Sequence, residues 1–488
     1  MSLQQRSRFR FPFLNTSQES VLIVGLFICY GYALLSKLEW NEEYACLVSP
    51  SSCAYDQIGD LRPIYGLTSY VFYSVSNFLN TISFYRLFGF LGFALLHLVI
   101  FRSLSNRTHP NSHNALVFAV LATSTMPSFM TMAISPNIAI YSWSSLAAIV
   151  ATNYILDNKK QFLIYVLLVL SLLSYPPSTY FAFTYFAVNK IVGGIQNLRS
   201  MIISLLRIIR FVFLSTMIAL IIAVLILCIF DLPRKSRVSL IQWHEWDEKV
   251  SFVMTRFVPT SFRGFQISSP SFSEALFSLL VGTSVLLISL LYLSQRNVEI
   301  FMFYTLFLTC CCFISLTPFI LSSGNEIDFR MVRNSSWAIW FILLFAFANF
   351  LVSKSVIYSP SALLTCYALL LTLLLGLFTI NNWRYFVYFK LPYDEKTLFI
   401  ETQLIECYDS KLKNLASPIG FDLPAYARYS NIGIFSLVTD LSQSWVPEAN
   451  VKLVKRRITQ SRLDIRNNKL KSCNVDLSKF QPSRFADR

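Results

Sequence analysis

The sequence predicts an all-α polytopic membrane protein of about eleven transmembrane helices. Three observations predict it. Hydrophobic residues make up 55% of the 488 and charged residues only 14%, against about 25% charged in a soluble domain. Mean hydropathy is +0.53. Apolar runs of the length that crosses a bilayer, about 18 residues or more, recur from residue 19 to residue 381.

The runs fall near 19–37, 84–102, 114–132, 138–156, 162–176, 178–192, 211–230, 275–293, 300–321, 335–353 and 361–381. The pair between 162 and 192 is short and broken by Tyr175-Pro176-Pro177. The aromatic content of 16% suits spans with Tyr and Trp at their interfacial ends. The first run has no small-residue cleavage site after it and is expected to stay as an anchor. The stretch 64–82 is apolar but dotted with Ser, Thr and Asn. It reads as a helix lying along the outer membrane face.

The formal charge is +15. In a membrane protein Lys and Arg mostly fix topology and meet anionic lipid, so no nucleic-acid partner is expected. Arg6, Arg8 and Arg10 should stay in the cytoplasm. Alternation then puts Arg102, Arg107, Lys159, Lys160, Lys190, Arg199, Arg207, Arg210, Arg296 and Lys354 inside as well. It leaves 38–83, 231–274, 322–334 and the tail outside. Long segments cross whatever their charge. The expected organisation is a transmembrane body over 1–381 and an outside region over 382–488. That region carries 17 Lys/Arg and 11 Asp/Glu, polar enough to face water, and helix-period stretches such as 394–413. It reads as small, α-rich and packed on the outer membrane face. No internal repeat is evident.

Six cysteines, Cys29, Cys228, Cys310, Cys311, Cys312 and Cys366, fall inside spans and read as small apolar side chains. Cys46, Cys53, Cys407 and Cys473 fall in the oxidising compartment, where Cys46–Cys53, closing a short loop, and Cys407–Cys473 are candidate disulfides and the pairing stays open. No spacing supports a zinc site.

Ionisable residues gather in the outside segments. Glu42 and Glu43 follow the first span; adjacent carboxylates at a membrane surface raise one another's pKa, and such a group can serve as general base towards a hydroxyl. The alternative is an ordinary solvated loop. A divalent metal is compatible with the pair, and no other cofactor is expected. Asp60 and Arg62 lead into the interfacial helix. Arg62 either holds a phosphate through a forked contact or pairs with Asp60. Arg86 opens the second span, snorkelling to headgroups or facing a lipid phosphate. Arg330 and Arg333 stand in a short outside connection against the positive-inside bias, which a phosphate, or Glu326 and Asp328, would compensate. Trp243, His244 and Glu245 mix an indole with polar groups, as sugar binding or an interfacial belt requires.

These residues resemble a known family. Asn41-Glu42-Glu43-Tyr44 stands where the type-II serotype-converting O-antigen glucosyltransferases tend to have Asn-Asp-Asp. Leu61-Arg62-Pro63-Ile64 resembles their Gly-Arg-Pro-Leu, with Leu61 where Gly is usual. Arg86-Leu87-Phe88, Ser135-Pro136-Asn137 with Tyr141, and Asn381-Asn382-Trp383-Arg384-Tyr385 fit the same layout. Leu173-Ser174-Tyr175-Pro176-Pro177-Ser178 stands where the family shows Tyr-Gln-Ala-Ser. The similarity is spread over most of the chain. It implies a GT-C-like glycosyltransferase of the bacterial inner membrane, N-terminus cytoplasmic and C-terminus periplasmic. Such an enzyme takes glucose from undecaprenyl-phosphate-glucose to a lipid-linked O-antigen acceptor. On that carry-over Glu42 or Glu43 is the catalytic base, and Arg62, Arg330 and Arg333 hold the donor phosphate. Asp60, Trp243, His244, Glu245 and Tyr175 are then the candidates for sugar and acceptor.

Two rival readings remain, a lipid-linked saccharide transporter or flippase and an O-antigen polymerase. Transporters keep ionisable groups near the midplane and often have broken helices. Polymerases favour one very large outside loop, whereas 231–274 is of middling size.

Overall fold

The computed structural model describes residues 17–35, 50–75, 82–134, 139–158, 160–194, 198–233, 242–257, 298–320, 329–358 and 360–385. It also describes 261, 282–283, 285–287, 289, 419–420 and 473–474. Glu42, Glu43, Cys46, Cys407, most of the 275–293 run and most of the tail lie outside these residues.

The described body is helical. In order it comprises α1 (Ser17–Leu35), α2 (Pro50–Gly59), α3 (Pro63–Val75), α4 (Ile82–Ser105), α5 (His113–Ser124) and α6 (Pro127–Ile134). Next come α7 (Ala139–Leu156), α8 (Gln161–Ser174), α9 (Pro176–Thr179), α10 (Phe181–Gly193) and α11 (Leu198–Ile229). The last are α12 (Trp246–Phe252), α13 (Val298–Ser315), α14 (Thr317–Ile320), α15 (Phe329–Tyr358) and α16 (Pro360–Tyr385). In the tail, Ile419–Gly420 pairs in parallel with Cys473–Asn474. Pro50, Pro63, Pro127, Pro176 and Pro360 each open a helix, where the missing N–H would have had no partner anyway.

Among the described residues five helices are long and apolar enough to cross a membrane, within α4, α7, α11, α15 and α16. Shorter apolar helices lie in α1, α8 and α13. The chain is a helical membrane protein. Large apolar side chains such as Phe213, Ile221 and Leu225 on α11, and Leu364 and Leu371 on α16, are exposed. In water that would be costly, but against lipid tails it is the expected outer wall.

Contacts fix the direction of each helix. At one end, Arg102 in the last turn of α4 makes two bonds, of 2.7 and 2.9 Å, to Glu19 in the first turn of α1. There too Arg107 meets Asp157 at 3.6 Å, and Arg207 of α11 bonds Asn158. Ser112 donates to Asn349 of α15 at 2.8 Å, and Asn114 of α5 to Tyr367 of α16 at 3.0 Å. Arg102, Arg107, Lys190 and Arg207, which sequence puts on one side of the membrane, thus belong to one end of the bundle. At the opposite end Trp143 donates to the Phe88 carbonyl at 2.9 Å, and Asn381 of α16 reaches the Cys29 sulfur of α1.

The helix expected along 64–82 is α3, which ends at Val75 with 76–81 outside the described residues. It buries Tyr65, Ser69 and Tyr73 at i, i+4 and i+8, and exposes Leu67, Tyr70 and Val71. An apolar face turned outward suits a bilayer surface.

Small residues let α4 and α7 meet closely. A Cβ at Gly89 would stand 2.7 Å from Ala139 Cβ and 3.0 Å from its Cα, and one at Gly92 would stand 2.7 Å from Trp143 Nε1. Gly89→Val is therefore expected to destabilise the fold by about 1–3 kcal/mol, read as a lower melting midpoint in detergent. Gly376→Ala on α16, which meets nothing within 4 Å, should leave the midpoint unchanged or raise it.

Candidate functional site

The site is built from a helical hairpin and a broken helix. In the hairpin of α2 and α3, a Cβ on Gly66 would lie 2.7 Å from the Ala54 carbonyl oxygen, so glycine sets how near the two helices come. Cys53 on α2 is disulfide-bonded; its candidate partner Cys46 is outside the described residues. Helix α2 closes with Leu61 N–H on the Ile58 carbonyl at 2.9 Å and Arg62 N–H on the Gln57 carbonyl at 3.0 Å. This Schellman pattern needs a left-handed residue, usually glycine. Here it is Leu61, at φ 63°, a strain of about 1–2 kcal/mol for a residue with a side chain. Its side chain packs beside Leu172, Leu173, Ala219 and Ala223. Pro63 then starts α3, so Arg62 sits on a turn fixed from both sides.

Arg62 lays its guanidinium over the ring of Tyr175, 5.2 Å from the centroid. Its N–H groups have no hydrogen-bond or ion-pair partner among the described residues, and the alternative pairing with Asp60 is not made. Tyr175 stacks on Tyr141 with centroids 3.5 Å apart and planes at 12°, and Tyr65 meets Tyr141 edge-on at 5.9 Å.

Tyr175 stands where the helix breaks. It is extended, at φ −155° and ψ 97°, between α8 and α9, because the residue before a proline is pushed out of the helical region. A break inside an apolar body leaves carbonyls that must find other donors. Tyr175 N–H and the Ser144 hydroxyl reach the Ser171 carbonyl, at 2.8 and 3.0 Å. Ser174 donates to the Leu170 carbonyl at 2.7 Å, and Asn334 Nδ2 to the Pro177 carbonyl at 3.1 Å.

The same elbow holds a second arginine. Arg333, on the first turns of α15, is 1% exposed. Its Nη2 donates to Ser178 Oγ at 3.1 Å and Ser145 Oγ at 3.3 Å, and Nη1 meets the Met132 sulfur. The rings of Phe129 and Phe181 each lie 5.9 Å from its Cζ. Ser178 also donates to the Tyr141 carbonyl at 3.4 Å. One turn, Tyr175 to Ser178, therefore joins Arg62 and Arg333.

Three expected residues, Arg62, Arg333 and Tyr175, come together here, with Asp60 in the adjoining turn. Arg330 opens the helix that carries Arg333, and its side chain, like those of Glu326 and Asp328, is outside the described residues. Arg86 is 2% exposed. Trp243, His244 and Glu245 lie on a separate segment, where the Glu245 carboxylate accepts the Gln242 N–H at 2.8 Å as a helix cap. Lys249 of that segment lies 3.9 Å above the Phe319 ring, and burial pushes its ammonium pKa down, against the pull of Glu245. Among the described residues no group of His, Cys, Asp and Glu could hold a metal.

Sequence reasoning did not foresee Ser144, Ser145, Ser178 and Asn334. A signal was there. A serine stands three residues before a proline at each of three breaks, Ser124 and Pro127, Ser174 and Pro177, Ser315 and Pro318. Each serine hydroxyl bonds a carbonyl of its own last helical turn at 2.7 Å. The run expected as one span over 114–132 is accordingly split at Thr125–Met126 into α5 and α6.

Ser178→Ala is expected to destabilise the protein by about 1–3 kcal/mol, since it removes an acceptor from a buried guanidinium. A detergent melting curve unchanged from wild type would mean that the hydroxyl does not hold Arg333. No protein-family model, curated protein or solved structure matches the chain.

Proposed function

We propose that the chain is a GT-C-like glycosyltransferase of a bacterial inner membrane. It moves glucose from undecaprenyl-phosphate-glucose to a hydroxyl of a lipid-linked O-antigen repeat on the periplasmic side. The observation that carries the reading is Arg62: a cation fixed at the end of the helical membrane body opposite Arg102, its N–H edges without a partner among the described residues. A lipid phosphate is the anion that arrives at such a rim, and a fork of N–H donors suits it.

In the reaction, Glu42 or Glu43 takes the proton from the acceptor hydroxyl. The hydroxyl oxygen bonds to the glucose anomeric carbon as the bond from that carbon to the phosphate oxygen breaks. Undecaprenyl phosphate leaves, its charge stabilised by Arg62 and Arg330. Arg333, behind the elbow, adds positive potential.

Three further observations support the orientation and class. A disulfide at Cys53 fits an oxidising compartment for the α2–α3 hairpin. Leu61 has a backbone that glycine adopts freely, and glycine is usual there in the family the chain resembles. Eleven crossings fit the alternating helix directions. Between α11 and α15 the chain would then return twice: Gly282 and Ser289 lie against Trp340 and Leu343 in that order along α15, and α13 leads back.

A flippase or transporter is the second reading. It is favoured by the three proline elbows and by Arg333 buried within the bundle.

Membranes containing the protein, given undecaprenyl-phosphate-glucose and lipid-linked O-antigen, should yield glucosylated repeats. Glu42→Gln or Glu43→Gln should lower the rate by about 10²-fold or more. Transfer that survives both changes removes these carboxylates from the mechanism; saccharide crossing sealed vesicles with no new glucosidic bond favours the transporter. A reporter enzyme fused after residue 390 should be active only in the periplasm, and cytoplasmic activity would overturn eleven crossings.

A further inference from the structure

This inference rests on Arg62 as a holder of the donor phosphate, and it concerns what aims that arginine. Tyr175 has two features that set it apart from a sugar-stacking ring. It is only 6% exposed, and its ring is covered by Tyr141 at 3.5 Å and by the Arg62 guanidinium at 5.2 Å. No ring face is left for a sugar. Its hydroxyl makes no hydrogen bond among the described residues, and it is the ring that meets Arg62.

We infer that Tyr175, backed by Tyr141, is the positioning platform of Arg62, fixing the guanidinium plane so that its N–H edges face a lipid-linked phosphate. The geometry makes this a matter of pre-organisation. An arginine side chain free in solution loses rotamer entropy when it is ordered. Here much of that loss has already occurred on folding. The turn at Leu61 and Pro63 fixes the backbone of Arg62. The elbow fixes the ring from below: Tyr175 N–H bonds the Ser171 carbonyl at 2.8 Å, and Ser144 Oγ lies 3.2 Å from the Tyr175 carbonyl oxygen. A cation over an aromatic face is attracted through the ring quadrupole, and the attraction uses the face of the guanidinium while leaving its edges for an anion. Lysine has neither a face to stack nor a fork to present.

The test uses the full-length protein in lipid nanodiscs, with undecaprenyl phosphate as the probe and binding measured by titration. Tyr175→Phe is expected to bind within twofold of wild type. Tyr175→Leu is expected to bind about tenfold more weakly. In an Arg62→Gln background, where binding is already weak, Tyr175→Leu is expected to cause no further loss. That non-additivity separates a ring acting through Arg62 from one that merely supports the fold. Where Tyr175→Leu does not accumulate, Tyr175→Met carries the same comparison. Equal losses from Tyr175→Leu with and without Arg62, or wild-type binding by Tyr175→Leu, would overturn the inference while leaving the phosphate reading intact. Wild-type protein that does not bind undecaprenyl phosphate overturns both.

Discussion

A helix that stops inside an apolar body leaves carbonyl oxygens with no water to meet them, and the site half of this molecule depends on how those oxygens are satisfied. At Tyr175 the answer is a set of hydroxyls and one amide. Ser174 turns back on its own helix, Ser144 reaches across from α7, and Asn334 reaches from α15. Three helices are thereby tied to one proline elbow. The elbow is what gives Tyr175 an extended backbone and Ser178 a place beside Arg333. Without those donors the break would be too costly to keep, and neither arginine would have its seat.

The cations divide by what surrounds them. Arg102 is neutralised by a forked, partly buried contact with Glu19, which clamps α1 to α4 at the charged end. Arg333 is dispersed over serine hydroxyls, a thioether and two rings. Arg62 has a ring beneath it and N–H edges without a partner among the described residues. Only the last arrangement leaves donors for a ligand, which is why the functional reading turns on Arg62 more than on the arginine buried behind it.

Much of the body was legible in the sequence because span length and charge placement are local properties. The apolar runs at 84–102, 138–156, 335–353 and 361–381 correspond to α4, α7, α15 and α16. Arg102 and Arg107, expected on one side of the membrane, meet Glu19 and Asp157 at one end of the bundle. The split of 114–132 was not read, since Thr125 and Met126 leave the hydropathy of the run unbroken and only Pro127 marks the turn. At the site, Arg62, Arg333 and Tyr175 were each singled out, yet for separate reasons. Nothing in their spacing, 113 residues from Arg62 to Tyr175 and 158 from Tyr175 to Arg333, says that they share one turn.

The sequence by itself determined that this is a helical membrane protein, because hydrophobic length is read by the bilayer segment by segment. The tertiary structure decided which of its polar groups meet. Arg62 gained a ring rather than the carboxylate two residues before it, and Tyr175 became covered rather than open. The physical reason is that a cation's partner is chosen by three-dimensional reach and by the donors a broken helix must recruit, neither of which is written along the chain.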